Sequence, residues 1–152
     1  MNIEIFSFTK VKDLVEAELQ YLKRLQGDLS LKVTVLSQSK IKATPTLILA
    51  DEAKELLSHL RPTQYLIILD EYGSQMTSKG FAELLQKHRN QSTGELVFAI
   101  GGPYGWDDSI RKRANATFSL SKLTFPAHVA KFLLIEQLYR AMTIINGHPY
   151  HK

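Results

Sequence analysis

At 152 residues, 44% hydrophobic and 22% charged, the chain is long enough to bury a substantial core and falls among folded globular sequences, not disordered ones. It contains no cysteine, which excludes disulfides, thiolate nucleophiles and cysteine-ligated zinc, and no apolar run approaches the roughly 18 residues of a membrane span. The net charge of +4 arises wholly in residues 101–152, with seven basic against three acidic side chains, while residues 1–100 balance at twelve each; such a local excess suits a polyanion such as nucleic acid, or else a bare solvated surface.

Taken in order, residues 2–8 place Ile3, Ile5, Phe6 and Phe8 in a strand. The opening MNIEIFSF has no basic n-region, so the expectation is no secretory signal and a cytoplasmic location. Thr9 is a candidate cap for a helix over residues 11–26, with Val11, Leu14, Val15, Leu22 and Leu25 on one face. Residues 31–36 (LKVTVL) predict a second strand, and a polar connection with Lys40 and Lys42 follows. Thr44-Pro45 reads as a cap with proline at the first helical position, opening a helix to about Leu60.

Residues 65–70 (YLIILD) and 95–100 (ELVFAI) are nearly continuous apolar runs, the habit of parallel strands buried on both faces. Between them, residues 71–77 predict a loop, and Thr77 or Ser78 caps a helix to about Arg89. A short basic helix over 108–115 precedes a strand at 117–121. The last helix spans about 128–145 and ends at Asn146-Gly147 as a left-handed cap. Alternating strands and helices predict an α/β chain, a parallel sheet with helices on both faces, forming a single domain over residues 1–152. Ligands of such sheets bind outside the carboxyl ends of the strands, so residues 70–73, 101–105 and 121–126 should meet around one site.

Several constellations bear on chemistry. Ile100-Gly101-Gly102-Pro103-Tyr104-Gly105 lets backbone approach a ligand, or simply makes a sharp strand-to-helix turn. Its glycines fall as GGxxG, and no acidic residue follows about 20 positions on, so it is not the dinucleotide fingerprint. Residues 120–125 (LSKLTF) offer hydroxyls, loop amides and an apolar wall suited to an adenine, or hydroxyls that cap the next helix. Glu136 and Arg140 stand four apart on a helix whose other residues are nearly all apolar, so each charge needs a partner, as structural glue or as site chemistry. His148-Pro149-Tyr150-His151-Lys152 gathers two imidazoles, a phenol and an ammonium group at the chain's end, able to bind phosphate and stack on a base. No metal site is expected: His148 and His151 have no carboxylate near them in sequence. A GxSxG nucleophile elbow is absent too, which weighs against a serine hydrolase.

LDEYG (69–73), IGGPYG (100–105), LSKLTF (120–125), EQLYRA (136–141) and PYHK (149–152) together, in this order and spacing, resemble the small SPOUT-class methyltransferases that modify N3 of a pseudouridine in 23S ribosomal RNA, the RlmH type. The resemblance covers essentially the whole chain, and EQLYRA with a terminal YHK is its most specific part. It implies an α/β knot in which the C-terminal segment threads a loop to form the cofactor site. It implies S-adenosylmethionine as cofactor, with Leu69, Gly101, Leu120, Ser121, Lys122, Leu123, Thr124 and Phe125 lining its pocket. A homodimer is implied, each tail helping to complete the neighbour's site, with the ribosome or its large subunit as substrate; composition and spacing already give the expectation of no membrane and no metal. On that resemblance Arg140 and Lys152 would hold phosphate or the base's oxygens, and Tyr150 would position the base. His151 or a water would take the ring proton, and Glu136 would orient Arg140. The chain departs from the pattern at Ala127-His128, where the family has histidine directly after the proline, at Lys131 in place of arginine, and at a terminal lysine that lacks arginine's bidentate fork. Two rivals are a non-catalytic RNA-binding module on the same scaffold and a nucleotide-dependent oxidoreductase or hydrolase of ordinary doubly wound fold.

Overall fold

Residues 1–91 and 94–152 are described by a computed structural model. The strands are β1 (Asn2–Ser7), β2 (Ser30–Val35), β3 (Tyr65–Ser74), β4 (Leu96–Ile100) and β5 (Ala116–Phe118). The helices are α1 (Val15–Leu25), α2 (Pro45–His59), α3 (Ser78–Gln91), α4 (Asp108–Arg113) and α5 (Ala127–Ile145). The five strands pair in the order β2-β1-β4-β3-β5, every pairing parallel. All five therefore deliver their carboxyl ends, and the loops that follow, to one edge.

Period-two alternation divides the strand residues between two apolar layers. Ile3, Ile5, Ile67, Leu96, Phe98 and Phe118 face the layer built by α1, α3 and α5. Phe6, Leu66, Ile68, Val97 and Ala99 face the other, with Leu56 of α2 and Ile110 of α4. The central strand β4 is buried at all five positions, and each large side chain so placed is worth roughly 1.5–3 kcal/mol. Helix α5 lies in the first layer with α1 and α3. Glu18 of α1 and Lys131 of α5 form an ion pair at 3.2 Å with both side chains under a tenth exposed, and Ser78 of α3 donates to Gln137 at 2.7 Å.

Three boundaries differ from the sequence reading. Helix α1 starts at Val15, not Val11: the Thr9 hydroxyl accepts from the Val11 amide at 3.3 Å, and that local turn carries the chain away from β1 before the helix begins. Residues 71–74 extend β3 instead of forming a loop. Phe118 registers with both Leu69 and Ser74, so residues 70–73 bulge out of the ladder and return to it. Strand β5 closes at Phe118 rather than Ser121, because Ser119 turns its amide to the Ser74 carbonyl at 2.9 Å and its hydroxyl to the Ser121 carbonyl at 2.9 Å. The expected C-terminal stop of α5 is present: Gly147 has φ +70°, and the His148 amide donates to the Thr143 carbonyl. Among the described residues no helix is long and apolar enough to cross a membrane.

Candidate functional site

A cleft of about 850 Å³ opens at the carboxyl edge of the sheet. The ends of β3, β4 and β5 meet there: Leu69 to Tyr72 on one side, Ile100 to Trp106 on a second, and Leu120, Ser121 and Leu123 to His128 on a third. The loop after β1 adds Phe8, Thr9 and Val11, and the loop after β2 adds Gln38. Its walls are thus apolar, with loop main chain and a few polar groups between them, as small-molecule sites commonly are.

Cross-links between the loops hold the cleft open. The indole of Trp106 donates to the Leu69 carbonyl at 2.8 Å, tying the β4 loop to the end of β3. Thr124 donates to the Glu71 carboxylate at 2.5 Å, tying the β5 loop to the β3 bulge. Arg111 of α4 pairs with Asp70 at 2.6 Å. Within the β4 loop, the Gly105 amide donates to the Gly102 carbonyl at 3.2 Å, and Gly105 takes φ +80°, a turn that favours glycine. A β-carbon on Gly101 would sit 3.0 Å from the Gly105 carbonyl and 3.2 Å from the Trp106 ring, so its absence lets the loop close on itself. A β-carbon on Gly102 would meet the carboxylate of Glu52 at 3.2 Å. Glu52 is buried on α2, and burial raises its pKa above the ordinary 4.5, against the lowering effect of the Ser39 amide and with a further rise from Asp51.

The tail residues gather elsewhere. Arg140 grips Glu136 with Nη2–Oε1 at 2.6 Å and Nε–Oε1 at 3.1 Å. The Tyr150 phenol donates to Glu136 Oε1 at 3.0 Å and meets the Tyr21 phenol at 3.1 Å. The Arg140 guanidinium lies 4.8 Å above the Tyr150 ring, and its Nη1 is 3.3 Å from His151 Nδ1. Burial, then the hydrogen bonds to Tyr21 and Glu136, raise the Tyr150 pKa above its ordinary value, so the phenol stays protonated. The hydrogen bond to Glu136 raises that of Arg140, which stays a cation. Lys152 is exposed and makes no ion pair with the described residues.

The residues singled out from sequence therefore fall into two places. Leu69, Gly101, Leu120, Ser121, Leu123, Thr124 and Phe125 line the cleft; Lys122 sits in the same loop, exposed and outside the lining. His128 lines it as well. Glu136, Arg140, Tyr150 and His151 cluster beside α1. From Ala130, the last residue of α5 to line the cleft, to Glu136 is six residues of helix, about 9 Å along the axis. Phe8, Val11, Gln38, Trp106, Glu52 and Tyr21 are not among the site residues of the sequence reading, which places Phe8 in the first strand and Val11 on the first helix. Strand order explains the first three, since nothing in local patterning says that β1 lies next to β4. Among the described residues, no three His, Cys, Asp or Glu side chains stand close enough to hold a metal ion.

The family model described as "Predicted SPOUT methyltransferase" matches residues 1–151. The chain is 38% identical over 154 residues to a protein of Cytophaga hutchinsonii named ribosomal RNA large subunit methyltransferase H, covering 99% of each. It is 40% identical over 153 residues to the protein of that name from Trichlorobacter lovleyi, again covering 99% of each. A third, from Caldicellulosiruptor saccharolyticus, is 41% identical over 145 residues and 90% of each chain.

Proposed function

The chain belongs to the SPOUT methyltransferase family, and from that membership we propose that it methylates N3 of a pseudouridine in 23S ribosomal RNA of the assembled ribosome or its large subunit, as a cytoplasmic homodimer using S-adenosylmethionine. Its five-stranded parallel sheet with helices on both faces accords with the knotted α/β fold of that family. Three relatives of matching length carry a name that specifies the large ribosomal RNA. The observation that carries the reading is the cleft where the ends of β3, β4 and β5 converge.

The residues present there suit the donor. Phe8, Leu69, Ile100, Leu120 and Phe125 offer apolar walls to a purine, and the loops at 101–105 and 120–125 offer main-chain amides and carbonyls to its polar edge. S-adenosylmethionine, when bound, supplies a methyl group on a sulfonium. The protein's part is to bring a ring nitrogen into line with it and to favour the anionic form of that ring.

The tail cluster is built for the second task. Glu136 holds Arg140 by two contacts, fixing a cation whose charge does not titrate. Arg140, with Lys152 beside the chain end, holds phosphate or the carbonyl oxygens flanking the nitrogen. Tyr150, kept protonated, positions the base as a donor or by stacking. Arg140 donates to Nδ1 of His151, a contact that requires the tautomer with its proton on Nε2. His151 therefore accepts the ring proton at Nδ1 only once Arg140 turns to the substrate, and a water takes it otherwise.

Reacting groups must come within about 3–3.5 Å, whereas the tail cluster begins about 9 Å along α5 from Ala130, the last residue of that helix lining the same chain's cleft. A neighbour's tail brought to this cleft removes the discrepancy, which supports the dimer. The test is incubation with labelled S-adenosylmethionine and ribosomes from cells lacking the enzyme, followed by mapping of the label. Label at one pseudouridine of 23S RNA is expected. Binding of particles without uptake of donor would instead mark a non-catalytic module.

A further inference from the structure

Pairing redistributes the charge that sequence counting assigns to the C-terminal third. Of the seven basic residues beyond Ile100, Arg111 is matched by Asp70, Lys131 by Glu18 and Arg140 by Glu136, and Arg113 is taken up by the carbonyls of Arg61 and Gln64. In the first hundred residues the acids are the ones engaged. Glu4 takes Lys32 and Thr34, Glu18 and Asp70 serve partners from the C-terminal third, Glu52 is buried, and Glu95 takes Arg61. Lys10 and Lys12 after β1, and Lys40 and Lys42 after β2, are exposed, and their ammonium groups make no ion pair or hydrogen bond among the described residues. The residues between and beside them, Val11 and Gln38, line the cleft. The acids near this edge are mostly engaged: Glu71 accepts from Thr124, Glu55 from the Ser37 amide and buried Glu52 from the Ser39 amide, Asp70 pairs with Arg111, and Asp13 is exposed.

We infer that the loops after β1 and β2 form the docking surface for the phosphodiester backbone of the substrate RNA, with Lys10, Lys12, Lys40 and Lys42 pairing its phosphates while the target base enters the adjoining cleft. The inference rests on the RNA-methyltransferase reading and adds to it a surface from the first hundred residues, whose net charge is zero. Its geometry follows from strand order. With β2 three places from β3 and strands about 4.8 Å apart, the surface reaches roughly 14 Å from the end of β3 across the cleft, about four nucleotides at 3.4 Å each. Flexible ammonium groups on loops suit phosphates, which position a substrate without reading its sequence. An acidic ribosomal protein is the other partner such a patch attracts, and it would cover Val11 and Ile41, each 43% exposed between the lysines. The four like charges beside a cleft deep enough to take a base favour the nucleic acid.

The test compares the wild type with K10Q/K12Q/K40Q/K42Q and with a control of equal charge change on exposed helix lysines, K23Q/K54Q/K79Q/K87Q. Binding to large subunits, to protein-free 23S RNA and to a single-stranded oligonucleotide is followed against salt, beside methylation kinetics and donor affinity. For the loop variant, donor affinity and kcat are expected within about two-fold of wild type, and KM for particles at least ten-fold higher. The slope of log affinity against log salt should flatten by about 3, near 0.7–0.9 for each phosphate that is no longer neutralised. The control should move that slope far less. An unchanged slope in the loop variant, or equal flattening in the control, overturns the surface. Lysine-dependent binding to particles but not to protein-free RNA overturns it in favour of a protein partner. A wild type that binds RNA through these lysines yet never methylates it refutes the enzymatic reading and leaves the surface standing.

Discussion

Tyr21 and Tyr150, 129 positions apart, meet phenol to phenol at 3.1 Å and so fix the chain's end to its first helix. Tyr139 packs against both, its ring centroid 5.5 Å from that of Tyr21 and 4.8 Å from that of Tyr150. Arg24 sits over the rings of Tyr21 and Tyr139 at 5.3 and 5.8 Å. A five-residue tail after a glycine stop would ordinarily fray; this one is held by aromatic edges and a shared carboxylate. Tyr21 is thus a positioning residue for whatever Tyr150 and His151 do.

Tyr21→Phe keeps the ring contacts and deletes one hydrogen bond. The expected stability cost is about 0.5–1.5 kcal/mol by denaturant titration. If Tyr150 acts on the substrate, kcat should fall several-fold while donor affinity, measured by calorimetry, stays put. A fall in stability with kcat unchanged would make the pair purely structural.

Removing residues 150–152 should abolish methylation and leave donor affinity within a few-fold, because none of those residues lines the cleft. The dimer reading adds a sharper result. Truncated chains mixed with chains disabled in the cleft should recover about a quarter of wild-type activity, since half of randomly assorted dimers pair one intact cleft with one intact tail. No recovery after verified subunit exchange would assign each tail to its own chain.

How far the sequence reached depends on the range of the interactions concerned. Buried parallel strands announced themselves by composition, as in YLIILD and ELVFAI, and Gly147 by its place after a periodic helix. The convergence of three loops followed from one topological rule. Strand order did not, because β1 pairing with β4 depends on contacts over 90 residues apart, and Phe8, Val11 and Gln38 were missed with it. Glu136 and Arg140 were legible as a pair that needed partners. Nothing local pointed to Tyr21 as the anchor of Tyr150. Lys131, read only as a departure from arginine, is half of a buried ion pair.

That ion pair makes its own prediction. Lys131→Met strands the Glu18 carboxylate in a nearly dry site and should cost about 3–5 kcal/mol. Glu18→Leu with Lys131→Met should restore most of it, because two apolar side chains of similar size suit the space between α1 and α5. A double variant as unstable as the single one would show that the helices depend on the charges themselves.

Burial raises the folded-state pKa of Glu52. A carboxyl with a raised folded pKa holds its proton more tightly folded than unfolded, so its contribution to stability falls as pH climbs from about the ordinary 4.5 through the folded value. Glu52→Gln removes that loss. The difference in unfolding free energy between wild type and variant should therefore shift in favour of the variant between pH 4 and pH 7. A constant difference across that range would mean that the Ser39 amide, which favours the carboxylate, balances desolvation, and a shift in favour of the wild type would mean that it outweighs it.

The two glycines that most constrain the site differ in kind, and the difference is measurable. Gly73 has no positive φ, so its backbone conformation is open to any residue. Space is what it lacks: a β-carbon there would fall 2.8 Å from Thr117 Cγ2, 2.9 Å from the Thr117 carbonyl carbon and 3.0 Å from that of Phe118. Two of those atoms are main chain of β5, which is bonded into the sheet and cannot give, so Gly73→Ala should cost about 1–3 kcal/mol or more. Gly101 is tight against neighbours outside the sheet, the Gly105 carbonyl of its own loop at 3.0 Å and the movable Trp106 ring at 3.2 Å. Gly101→Ala should leave stability closer to wild type but tilt that ring away from Leu69, weakening donor binding. Trp106 is the chain's one tryptophan and lines the cleft, so its fluorescence reports both events. Donor should change it in the wild type, and the free Gly101→Ala protein should already differ from the free wild type. Unaltered fluorescence with lowered affinity would place the glycine's role in direct approach of backbone to donor instead.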